Sequence, residues 1–119
     1  MKKDSMEIYR ETAFRRMETE KKLLKKRFEQ AWGTARKAAN LLRQRASVSK
    51  VAVFGSLVRE NLFHPGSDID LAVWGLDEKL YFRSVAWLME ERDFDIDLVR
   101  MEDAKESLRK TVQSEGVLI

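Results

Sequence analysis

The chain has 119 residues with a hydrophobic content of 44%, enough for one small domain with a modest core and little room for a second. It has no cysteine, which excludes disulfides and thiolate metal sites, and no apolar window long enough to span a membrane. The net charge of +3 hides an asymmetry: residues 1–50 carry 15 Lys/Arg against 6 Asp/Glu, whereas residues 51–119 carry 8 against 14. The basic N-terminus is not followed by the apolar stretch of a signal peptide, so a cytoplasmic location is expected.

From about Lys3 to Ala46 the chain contains no proline, one glycine, and many strong helix formers. Apolar residues recur at near-helical spacing at Met6, Tyr9, Ala13, Met17, Leu24, Phe28, Ala31, Ala35, Ala38 and Leu42. The pattern predicts one long helix, or two, with Gly33 as the kink or break. The stripe is thin before residue 20 and cannot support folding alone, so it is expected on another chain or in solvent. It broadens from Phe28 to Leu42, which is expected to pack on a sheet. The expected organisation is a helical extension over 1–46 and a core over 47–119.

Lys50–Phe54 is short and β-branched and reads as a buried strand. Gly55-Ser56 ends it, with Ser56 placed to cap a short helix through about Asn61. A loop over 62–67 leads to a second strand, Asp68–Trp74. Asp77 then caps a helix over 78–92 that turns Leu80, Val85, Leu88 and Met89 inward. Phe94–Val99 alternates strictly as a third strand, and a helix over 102–114 ends at Gly116. Val117-Leu118-Ile119 is short enough to add only a terminal strand. Strands separated by helices indicate an α/β (α+β) layer, a small mixed sheet flanked by helices.

Successive strand residues point to opposite faces, so Asp68 and Asp70 share one face while Ile69 and Leu71 enter the core. Adjacent carboxylates repel unless a cation sits between them. Asp97 joins them if the third strand pairs beside the second, and Asp95 has the same parity. Converging carboxylates form a hard oxygen site suited to Mg²⁺ or Mn²⁺, and such ions can organise an in-line displacement at phosphorus. Glycine directly after a strand lets backbone amides approach a phosphate, and a following helix start favours the same anion. The Ser56 hydroxyl and Arg59 stand within reach of such a phosphate. A lone D-x-D is weak; a G-S ending an apolar strand, followed after 11 residues by D-I-D on another, is far more specific. His64 in the loop and Trp32, Trp74 and Trp87 read as loop and packing residues.

The segment VFGSLVRENLFHPGSDIDLAVWG with the later FDIDLV resembles the nucleotidyltransferase signature of the polymerase β-like superfamily. The small size resembles the minimal nucleotidyltransferases, or MNT proteins, over roughly Val51 to the C-terminus. The resemblance implies that Asp68, Asp70 and Asp97 bind Mg²⁺ or Mn²⁺ and carry catalysis. It implies that Gly55, Ser56, Arg59 and Ser67 bind the nucleotide, with ATP as substrate and AMP as the transferred group. It further implies an antitoxin acting on a HEPN-domain partner, some members adenylylating a tyrosine of that toxin. Three other readings stand beside it: a non-catalytic module acting by contact, transfer to a small hydroxylated molecule, and a homodimer formed through the N-terminal helix. Nucleic-acid binding through Lys21, Lys22, Lys25, Lys26 and Arg27 ranks last, and no membrane association is expected.

Overall fold

The computed structural model describes residues 4–119. Helix α1 runs unbroken from Ser5 to Ala46, 42 residues, or about 63 Å at the usual helical rise. Its expected first residue, Lys3, lies outside the described residues. Asp4 caps the helix by accepting from the Glu7 N–H at 2.7 Å. At the far end Ser47 adopts a left-handed conformation (φ 51°) that stops the helix and turns the chain into the sheet. The helix is continuous through Gly33, which therefore does not break it. A glycine there costs only about 1 kcal/mol relative to alanine, and Ala31 and Ala35, both fully buried, anchor the turns on either side.

Among the described residues four strands, β1 (Lys50–Phe54), β2 (Ile69–Trp74), β3 (Ile96–Arg100) and β4 (Val117–Leu118), form a mixed sheet in the order β3-β2-β1-β4. Strand β1 pairs antiparallel with β2, and β2 pairs parallel with β3. The β2-to-β3 connection carries helix α2 (Tyr81–Leu88), as a parallel pairing demands a crossover. Helix α3 (Glu106–Glu115) then delivers the short β4 to the free edge of β1.

Burial explains the two faces of the sheet. Val51, Val53, Ile69, Leu71 and Val73 join Ala31, Ala35, Ala38, Ala39 and Leu42 of α1 in the main core. Ala52, Phe54 and Ala72 point the other way and meet Met101 and Val112 under α3. The alanines let the α1 backbone approach the sheet closely, and burial of this apolar interface stabilises the fold. The N-terminal part of α1 has no such cover: Met6, Ile8, Tyr9, Phe14, Met17 and Leu23 are all exposed, and the molecule is 70 Å long but only 29 × 18 Å across.

Four expected elements differ in detail. The helix expected over 78–92 is a tight turn at Glu78–Leu80 followed by α2, which ends at Leu88. Met89 is therefore exposed rather than inward, because the chain must already turn back, with the Asp93 N–H closing on the Glu91 carboxylate at 3.0 Å. The last helix begins at Glu106, after a separate turn at Met101–Asp103. Strands β2 and β3 begin one and two residues later than expected, at Ile69 and Ile96. Asp68 and Asp95 thus sit in the approaches to the strands.

Candidate active site

The carboxylates gather where β2 and β3 start. Parallel pairing sets Asp70 opposite Asp97, and Ile69 opposite Ile96. The Ile69 N–H donates to the Asp95 carbonyl at 2.9 Å, which holds the two approaches side by side. Asp95 is thereby engaged through its backbone, two residues before the position that faces Asp70. Between the two third carboxylates weighed from parity, the register brings Asp97 to Asp70.

Asp70 is half-buried, whereas Asp68 and Asp97 are exposed. Burial pushes the Asp70 carboxyl up from 3.8 to about 6, and the charges of Asp97 and then Asp68 push in the same direction, together with a hydrogen bond to Asp97. A carboxyl raised by two carboxylate neighbours marks a concentration of negative charge that a cation would relieve. The three side chains are not drawn into a preformed cage, since among the described residues no three His, Asp or Glu side chains are set to hold a metal ion. The donor chemistry still fits Mg²⁺ or Mn²⁺: the three groups supply only hard carboxylate oxygens, and they repel one another.

Gly55 follows the last residue of β1 at φ +74°, a conformation that side chains other than glycine rarely adopt. A Cβ there would fall well inside contact distance of Asp70 Oδ2. Glycine is therefore required twice, by backbone conformation and by the close approach of the carboxylate. Phe54, the residue before it, is the register partner of Asp70 across β1 and β2. The glycine turn thus lies directly against the carboxylate cluster.

The remaining expected nucleotide residues are placed differently from one another. Gly55–Val58 forms one tight 3-10 turn and Glu60–Leu62 a second, with Arg59 between them outside helical conformation. Ser56 lies inside the first turn, where its side chain caps nothing; the expected short helix through Asn61 is replaced because the positive φ at Gly55 and the non-helical Arg59 (φ -122°, ψ 83°) interrupt it. Arg59 pairs with Glu115 at the end of α3, anchoring the loop to the far side of the sheet. Ser67 is buried and accepts the His64 N–H at 2.9 Å, while His64 Nδ1 accepts from Gly66 at 3.1 Å. Both residues shape the loop that delivers Asp68. The tryptophans are partly buried packing residues, with Lys50 over Trp74, Arg36 over Trp32 and Arg45 over Trp87. No helix among the described residues is long and apolar enough to cross a membrane.

The sequence reading missed Arg27, which it assigned only to a basic cluster. Its guanidinium donates to the Pro65 carbonyl at 3.1 Å and to the Asp93 carbonyl at 2.8 Å, and lies 4.2 Å over the Phe94 ring. An arginine immediately before Phe28, at the edge of the apolar stripe, was the available signal; its partners, 38 and 66 residues away, were not legible.

A family profile described as "Polymerase beta, Nucleotidyltransferase" matches residues 36–119. No curated protein sequence gives a significant match. Among solved structures, a toxin–antitoxin crystal structure with AMP-PNP is similar at 30% identity and a TM-score of 0.61, covering 71% of this chain and 70% of that one. A tri-AMPylated HEPN toxin from Shewanella oneidensis in complex with MNT antitoxin aligns at 26% identity and a TM-score of 0.57, covering 74% and 70%. The MntA-HepT toxin–antitoxin structure aligns at 27% identity and a TM-score of 0.55, covering 71% and 68%.

Proposed function

The chain belongs to the polymerase beta nucleotidyltransferase family, and from that premise we propose that it transfers AMP from ATP to a hydroxyl on a HEPN-domain toxin, as its antitoxin. The observation that carries this reading is the pairing of Asp70 with Asp97 beside Asp68, against the bare backbone of Gly55. The similar structures with AMP-PNP and with an AMPylated HEPN toxin support the choice of nucleotide and acceptor.

In the proposed reaction the acceptor oxygen attacks the α-phosphorus of ATP. The bond from that phosphorus to the β-phosphate oxygen breaks, and pyrophosphate leaves with the electron pair. Asp68, Asp70 and Asp97 would hold Mg²⁺ or Mn²⁺, which when bound neutralises phosphate oxygens and favours the displacement. Asp97, the exposed member opposite Asp70, assists removal of the acceptor proton. Gly55 admits the triphosphate to the turn without a Cβ, and Ser56 and Arg59 contribute polar contacts, Arg59 after exchanging Glu115 for phosphate. Ser67 supports the nucleotide loop through its bond to the His64 N–H. The acceptor comes from the partner, which the exposed apolar stripe of α1 is suited to meet. Residues 1–46 would act as the contact extension and 47–119 as the catalytic core.

A second reading has its own support. The carboxylates are not gathered into a preformed metal cage and Arg59 is held by Glu115, as suits an antitoxin that acts by contact alone. Incubation with labelled ATP, Mg²⁺ and a HEPN-domain toxin separates the two. Label on the toxin, lost in the Asp68→Ala/Asp70→Ala variant, supports transfer. Absence of label, with full neutralisation of the toxin by that variant, refutes it in favour of contact.

A further inference from the structure

The two segments that bring carboxylates to the site meet at the mouth of the strands through one backbone hydrogen bond, from the Ile69 N–H to the Asp95 carbonyl at 2.9 Å. One runs Pro65-Gly66-Ser67-Asp68 into β2, and the other Asp93-Phe94-Asp95-Ile96-Asp97 into β3. Arg27 of α1 holds both. Its Nε–H donates to the Pro65 carbonyl at 3.1 Å, one Nη2–H donates to the Asp93 carbonyl at 2.8 Å, and the guanidinium plane lies over the buried Phe94 ring. Those carbonyls stand three residues before Asp68 and four before Asp97.

We propose that Arg27 is a positioning residue for the carboxylate cluster, a clamp in which one guanidinium sets the spacing between the two approach loops. This rests on the reading of Asp68, Asp70 and Asp97 as the metal-binding carboxylates. Arginine suits the role because its planar fork offers several donors in fixed directions while its face stacks on an aromatic ring. A lysine carries the same charge but neither the fork nor the stacking face. Neighbouring elements reinforce the clamp. Phe28, next on the helix, makes an edge-to-face contact with Phe63 at 5.3 Å, and Ser67 closes the first loop on His64. Because Arg27 lies before residue 36, where the family match begins, the clamp joins this chain's own helical extension to the shared core. Movement of α1 on a partner would reach both loops through one side chain.

The test compares wild type with Arg27→Ala and Arg27→Lys, and with Lys26→Ala as the control on the adjacent basic residue. The first readout is metal-free: backbone amide shifts over residues 66–70 and 95–98. The second is Mn²⁺ affinity by titration. The expected result is that both Arg27 variants shift the two amide groups together and bind Mn²⁺ about 10-fold more weakly, with Lys26→Ala unchanged. Arg27→Lys keeps the charge and stem, so it serves if Arg27→Ala does not fold. Amide shifts confined to the neighbourhood of residue 27, or Mn²⁺ affinity within twofold of wild type in both variants, would overturn the clamp. If wild type shows no Mn²⁺ binding, the reading of the metal site fails, and the amide shifts alone decide whether Arg27 couples the two loops. Mn²⁺ binding without AMP transfer refutes the proposed reaction and leaves the clamp to the same two readouts.

Discussion

Replacing Asp70 by asparagine should abolish nucleotidyl transfer and, in metal-free buffer, stabilise the protein. Asp70 titrates at about 6 in the fold against its ordinary 3.8, because burial and then the charges of Asp97 and Asp68 oppose ionisation. The fold therefore favours the protonated carboxyl. Its contribution to stability is greatest below pH 3.8, falls as pH rises toward 6, and is constant above that. At 1.36 kcal/mol per pH unit, the full linkage has an upper bound of about 3 kcal/mol. Asp70 is only half-buried, and solvent screening reduces the effect to about 1 kcal/mol. For a domain of this size that corresponds to roughly 4 °C in melting temperature. Asparagine copies the shape of the protonated acid without the charge. Melting curves of wild type and Asp70→Asn in EDTA should coincide near pH 4 and separate by roughly 4 °C at pH 7.5, with the variant higher. Saturating Mg²⁺ should raise only the wild type and close or reverse the gap. The reasoning fails if the variant melts below wild type at pH 7.5 in EDTA, or if the difference does not change with pH.

Gly55→Ala forces a side chain into a positive-φ position and against Asp70. It should cost about 1–3 kcal/mol by denaturant titration and remove transfer with it. Gly33→Ala acts in the opposite direction: a Cβ there meets nothing within 4 Å on a continuous helix, so urea midpoints should show a gain of about 0.5–1 kcal/mol. Steady-state kinetics of Arg59→Ala and Glu115→Ala distinguish an anchor from a phosphate ligand; if Arg59 holds the triphosphate, Arg59→Ala raises the KM for ATP while Glu115→Ala leaves it unchanged or lowers it. The double variant Met6→Glu/Met17→Glu alters only exposed positions. Its melting temperature should match wild type while its affinity for the toxin, read by calorimetry, falls at least 10-fold.

Local pattern was enough for much of this protein. Alternation in IDLAVW and IDLVR assigns faces to each side chain without knowledge of any partner strand, because the pleat has a period of two. The alanines and leucine of α1 mark its buried face by the helical period alone. The glycine after β1 and the D-I-D at β2 are readable because the chemistry they serve constrains residues close together in the chain.

What only the tertiary structure decided involves residues far apart in sequence. Parity allowed Asp95 or Asp97 beside Asp70, and the choice belongs to the register between β2 and β3, set by side chains packing from α1 and α2. The continuity of α1 through Gly33 depends on the sheet beneath it, since burial of Ala31 and Ala35 outweighs a weak local preference. Arg59 looked like a free cation next to the glycine turn until α3 brought Glu115 to it from 56 positions away. Arg27 was one of five cations in a run, and its two carbonyl partners became neighbours only when α1 lay across the loops. Periodicity reports which face a residue occupies, whereas hydrogen bonds and charge pairs depend on which distant face arrives opposite, and packing of the whole chain determines that.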